Sequence, residues 1–180
     1  MYKSDLLKTA AALLMLAGTS MSPQVISTGP TGIGLSGDVQ ESLTISLDQS
    51  VIYFSLNPGN ATNAGSSGIN VTTTWNLASG RSAVALYAYF DNASSALVNG
   101  INNLPSAVVS ASVGGSSVGN FTNTVPFGTG VTLMTQPITG SNLSGTKISA
   151  VALNIDLSAL PNLPAGTYSG TLHFQAQATP

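Results

Sequence analysis

The stretch INVTTTWNL, Ile69 to Leu77, alternates without a break. Ile69, Val71, Thr73, Trp75 and Leu77 fall on one side, and Asn70, Thr72, Thr74 and Asn76 on the other. Successive side chains of a β-strand point to opposite faces, so this pattern gives one face for a core and one for water. A helix would mix the two sets on every face. The same period of two recurs along the chain. In VQESLTISL, Val39, Leu43, Ile45 and Leu47 share a face that Glu41 interrupts. VIYFSL, Val51 to Leu56, is a dense apolar run that predicts a strand, closed by the turn residues NPGN at Asn57–Asn60. SAVALYAYF, Ser82 to Phe90, is apolar on both faces, which predicts a central strand covered on both sides. A helix is the alternative for so Ala-rich a piece, but its length and its aromatics favour a strand. SAVVSASVG, VTLM, TKISAVALNIDL and the stretch Gly166 to Ala178 continue the pattern. Among these, Val151, Leu153, Ile155 and Leu157 share one face.

Short alternating segments separated by Gly, Pro, Asn and Ser turns predict an all-β fold. The expected architecture is an immunoglobulin-like β-sandwich of about 7–9 strands with Greek-key connections. The chain has 180 residues, which suits one such domain. We place it at 38–180. Residues 21–37, MSPQVISTGPTGIGLSG, are rich in Gly, Pro and Ser and read as a flexible lead-in.

The first twenty residues have a different logic. Lys3 and Lys8 precede the apolar run Thr9 to Gly18, and small residues follow through Ser20. That is the layout of a secretory signal peptide, residues 1–20, and the run is shorter than the roughly 20 residues a membrane span needs. An uncleaved N-terminal anchor is the alternative. The expected location is therefore secreted, periplasmic or cell surface, with the membrane involved only through the signal peptide during export. The chain has no cysteine, so no disulfide staples it and no thiolate chemistry is open to it.

Only 6% of the residues are charged, against about 25% in an average domain. Beyond residue 20 the cations are Arg81 and Lys147, which excludes the phosphate-neutralising surface that nucleic-acid binding requires. Catalytic groups are equally sparse. His173 is the only histidine, and on its strand it shares the polar side with Thr171, Gln175 and Gln177. Asp156 is the attractive acid partner, but an outward His–Asp pair without a cleft is a surface pair rather than part of a triad. Asp38, Glu41 and Asp48 cluster in sequence without marking a cleft for glycoside hydrolysis. No spacing suits calcium or zinc. The Gly32–Gly34 pair lacks the strand-to-helix setting of a dinucleotide motif. We therefore expect no enzyme, no cofactor and no metal. Trp75, on an apolar strand face, reads as core. Tyr87 and Tyr89 share one face of their strand and are the aromatic pair to test for ligand contact.

The closing LPAGTYSGTLHFQAQ, in which Pro164, Gly166, Tyr168 and Gly170 precede an alternating strand, resembles the end of chaperone–usher fimbrial subunits and of spore-coat-protein-U-type secreted proteins. The disulfide-free colonisation-factor subunits are nearest in style. DVQESLTISLDQSVIYF resembles the N-terminal extended segment of such subunits. The resemblance spans about the first and last thirty residues after the signal peptide. It implies a pilin-like structural protein that self-associates by β-strand addition, with a periplasmic chaperone as a second partner. Val39, Leu43, Ile45 and Leu47 would be the donated side chains, and Tyr168, Leu172 and Phe174 would line the groove or final strand. Two points depart from the family: the Cys pair of many members is absent, and Glu41 puts a charge in the donor stretch. A monomeric extracellular module that binds carbohydrate or protein is the alternative function. Sequence leaves open whether 39–47 pairs within its own domain or with a neighbour.

Overall fold

The computed structural model describes residues 32–122 and 130–180. The expected signal peptide, and most of the lead-in at 21–37, lie outside the described residues. The described part of the lead-in, 32–37, carries no strand and is exposed. Residues 38–180 form one compact unit.

That unit is all-β, with antiparallel sheets packed around a shared apolar core. Eight of its strands have five residues or more: β1 (Ser42–Leu47), β3 (Ile69–Asn76), β4 (Ala83–Phe90), β7 (Val109–Val113), β8 (Ser116–Asn120), β9 (Val131–Pro137), β10 (Ser144–Ile155) and β11 (Leu172–Thr179). Three are short: β2 (Asn63–Ala64), β5 (Leu97–Asn99) and β6 (Asn102–Leu104). The larger sheet runs β1-β3-β10-β7-β8, with β2 also paired to β10. The smaller runs β11-β4-β9, and β5 and β6 form a separate hairpin.

The alternation read from Ile69–Leu77 decides how the larger sheet sits. Ile69, Val71, Thr73, Trp75 and Leu77 are all buried, and Asn70 and Thr74 are exposed. β10 presents Ser149, Val151, Leu153 and Ile155 to the same interior. The Trp75 indole N–H reaches the Asn142 carbonyl at 3.0 Å, which satisfies the one polar atom of that side chain. In the smaller sheet, β4 lies between β11 and β9, the central place expected, but it is not covered on both sides: Ala83, Tyr87 and Tyr89 on its outer face are only half-buried. Val84, Leu86, Ala88 and Phe90 point into the core, and Phe121 meets Phe90 edge-to-face at 5.4 Å.

Two expectations are corrected. Val51–Leu56 does not form a regular strand; it makes only an isolated bridge, Phe54 to Gly65. Its side chains still alternate, with Ile52, Phe54 and Leu56 half-buried against the core and Val51, Tyr53 and Ser55 out. Burial alone produced the period, without a partner strand along its length. Second, the acid beside His173 is Asp91, not Asp156. The register places Leu172 opposite Phe90 and His173 opposite Tyr89, so the residue that follows β4 comes to the imidazole.

Candidate functional site

β1 and β11, the edge strands of the two sheets, lie near each other, and the gap is at the end of that pair where β1 finishes and β11 begins. There the core is open as a cleft of about 560 Å³ floored by Ile69, Phe90, Leu153 and Ile155. One wall is the connection after β1, which brings Leu47, Ile52, Phe54 and Leu56 to the opening. The other wall is the segment entering β11, with Tyr168, Leu172 and Phe174. Tyr168, Leu172 and Phe174, singled out in the sequence for a groove or final strand, all line this cleft. The cleft lies within the unit 38–180.

Local chemistry shapes the second wall. The Tyr168 hydroxyl donates to the Pro164 carbonyl at 3.0 Å, folding the turn back on itself. Ser169 then exchanges two backbone hydrogen bonds with Val98, at 2.8 and 3.1 Å. Gly166 has φ of 150°, and Gly170 packs so closely on the Ala96 carbonyl that any Cβ would collide with it. Each member of the Pro164–Gly166–Tyr168–Gly170 pattern therefore has its own physical role. Pro164 supplies the acceptor in the turn, Tyr168 donates to it, and the two glycines allow close approaches.

β11 is an edge strand. It pairs with β4 from Leu172–Phe90 through Thr179–Ala83, and among the described strands none pairs with its other side. β1 lies close to that strand, and at its Leu172 end β11 borders the apolar cleft, where an unpaired edge is a template for an added strand. The cleft therefore combines main-chain hydrogen-bonding capacity with apolar subsites, the two things an extended peptide needs.

The four donor-segment residues separate. β1 pairs with β3 of its own chain over six residues, from Ser42–Asn76 to Leu47–Val71. Leu43 and Ile45 pack on this chain's core. Leu47 stands at the cleft, and Val39 precedes the strand and is 84% exposed. Glu41, the interruption in the apolar face, has a partner. Its carboxylate accepts from the Arg81 guanidinium at 2.8 and 3.1 Å and from the Ala78 N–H at 2.8 Å. Those bonds, the Arg81 side chain first and the Ala78 N–H second, hold its pKa down to about 2.

Tyr87, Tyr89 and His173 lie on the far side of the smaller sheet. Tyr89 stacks on His173 with ring centroids 5.3 Å apart, and the imidazole Nε2 is 2.9 Å from the Asp91 carboxylate. Tyr87 is half-buried on the same face, opposite Gln175. Asp156 turns to its own loop, accepting the Ser158 N–H at 2.9 Å, and hydrogen bonding to Ser158 lowers its pKa. Asp48 is taken up by Asn70, whose backbone and side-chain N–H groups both donate to it at 2.8 Å. Glu41 and Asp48 thus sit at opposite ends of β1, each satisfied, not as a catalytic pair. Among the described residues no group of three or more His, Cys, Asp or Glu could hold a metal ion, and no helix is long and apolar enough to cross a membrane.

Sequence reasoning missed the first wall as a wall. Ile52, Phe54 and Leu56 carried the signal, an apolar run just ahead of the NPGN turn, but that pattern also fits an ordinary strand. No protein-family model and no curated protein matches this chain.

Proposed function

We propose that this protein is a secreted or cell-surface structural subunit that assembles by β-strand addition, in the manner of pilin-like and coat subunits. The observation that carries the reading is the apolar cleft beside the unpaired edge of β11. A neighbour's extended segment pairs with β11 and sets alternate side chains against Tyr168, Leu172 and Phe174. Before assembly, a periplasmic chaperone covers the same edge.

The donated stretch precedes β1, because β1 already completes the larger sheet of its own subunit. Ile33, Leu35 and Val39 are spaced by even numbers of residues, so in an extended chain they share a face, and all three are exposed. Glu41 then remains outside the groove, bonded to Arg81, and its charge no longer conflicts with donation.

Size-exclusion chromatography tests this on the protein starting at residue 21. Oligomers are expected, and removal of residues 21–40 should leave monomers that bind an added peptide of residues 32–41. If the truncated protein assembles as well as the longer one, donation from this segment is wrong.

A further inference from the structure

The wall formed by Gln49–Leu56 is held quite differently from the strand that leads into it. β1 has a six-residue ladder and a carboxylate tie at each end, Glu41 to Arg81 and Asp48 to Asn70. Past Asp48 the ladder stops. The wall keeps the single bridge at Phe54–Gly65, with the Ser66 N–H donating to the Tyr53 carbonyl at 2.8 Å. The rest of its tether is side-chain work: Gln49 Nε2 donates to the Gly68 carbonyl at 2.6 Å, Ser67 Oγ to Gln49 Oε1 at 2.7 Å, and the Tyr53 N–H to Ser66 Oγ at 3.3 Å.

This lightly tied segment nevertheless carries much of the cleft's apolar lining. Ile52, Phe54 and Leu56 dip inward, while Tyr53 between them is 73% exposed. Ile52 rests on Gly65, where a Cβ would come within 2.7 Å of its Cγ2. Segments with few backbone bonds and half-buried contacts open at lower free energy than the ladders around them.

We propose that Gln49–Leu56 is a gate on the cleft. In the free subunit Ile52 and Phe54 rest over the opening; the segment lifts from Gly65 and Ser66 as an incoming strand of a second copy enters. This inference rests on the strand-addition reading and adds the step that controls its rate. The pivot is the end of β1, where the Asp48–Asn70 bonds persist while the residues beyond them move.

The absence of cysteine makes a reversible lock available. Tyr53 and Ser66 sit opposite each other next to the Phe54–Gly65 bridge, tied by the Ser66 N–H to the Tyr53 carbonyl and by the Tyr53 N–H to the Ser66 Oγ. Residues so placed have Cα atoms about 5.5 Å apart, within reach of a disulfide. The Tyr53→Cys, Ser66→Cys double variant of the whole secreted chain, followed by light scattering, should assemble at least tenfold more slowly when oxidised. Dithiothreitol should restore the rate, and wild type should not respond to it. Gly65→Ala, which displaces Ile52, should assemble faster than wild type and serves if the double variant does not fold. Equal rates for the oxidised and reduced forms, with wild type assembling, would overturn the gate and leave strand addition standing. A wild type that never assembles removes both.

Discussion

Trp75 lies across Gly145, its partner on the neighbouring strand, so closely that a Cβ on Gly145 would fall 2.6 Å from the indole Cζ2 and 2.9 Å from Cε2. The glycine is there because the ring occupies the space a side chain would need. The indole N–H bond to the Asn142 carbonyl also holds the ring in place, so it has little room to yield. Gly145→Ala should cost about 1–3 kcal/mol in urea unfolding, as overpacking does. Trp75 is the only tryptophan, so its fluorescence reports the displacement directly. A variant with unchanged emission and midpoint would contradict this packing.

The Glu41–Arg81 pair gives a pH dependence of known sign. The carboxyl is lowered from an ordinary 4.5 to about 2, so its contribution is present above about pH 4.5 and lost as pH falls through 2. Glu41→Gln should be less stable than wild type at pH 7. The two melting curves should converge as pH drops from 4.5 toward 2. The pair is exposed, so the difference at pH 7 is small and should shrink in 1 M salt. Melting temperatures that run parallel across this range would rule the linkage out.

Phe121 is 1% exposed and closes the core against Phe90 from the end of β8. Its backbone N–H also bonds the Val109 carbonyl at 3.0 Å, so the chain cannot simply move in to fill a gap. Phe121→Ala should cost about 3–5 kcal/mol, read as a shifted denaturation midpoint with little change in slope. A loss below about 1 kcal/mol would mean the site collapses freely.

Tyr168→Phe removes only the hydroxyl that bonds Pro164. A loss of about 0.5–1.5 kcal/mol is expected, toward the lower end because the bond is exposed. Assembly should slow as well, since the same turn forms one wall of the cleft. Amide exchange at Ser169 is the local measurement: it should rise in the variant if the turn holds the Val98 bridge in place.

The parts of this fold that were legible in the sequence are those in which burial follows position parity. β3 and β4 were readable because one face of each meets the core along its whole length. The final strand was readable from its alternating sequence, and Tyr168, Leu172 and Phe174 do pack on the core, yet burial there does not follow parity: every residue of β11 is half-buried. Val51–Leu56 shows the limit. Its parity is correct, but parity reports which side chains are buried and says nothing about backbone partners. The cleft itself was not legible, since it joins residues 47–56 to residues 166–174 and no local pattern encodes that encounter. The partner of His173 was missed for the same reason: cross-strand register selects Asp91, and register is a long-range property.

β10 serves three strands, pairing β3 from Ser144 to Val151, β7 from Val151 to Ile155 and β2 at Asn154 and Ile155. β4, at the centre of the smaller sheet, pairs with β9 and β11, two strands far along the sequence from it. Neither sheet can therefore reach its final pairing until segments well separated in sequence have met. Long-range pairings of this kind form slowly. Refolding from denaturant should accordingly take on the order of milliseconds to seconds, the range of folds built on non-local strand pairing.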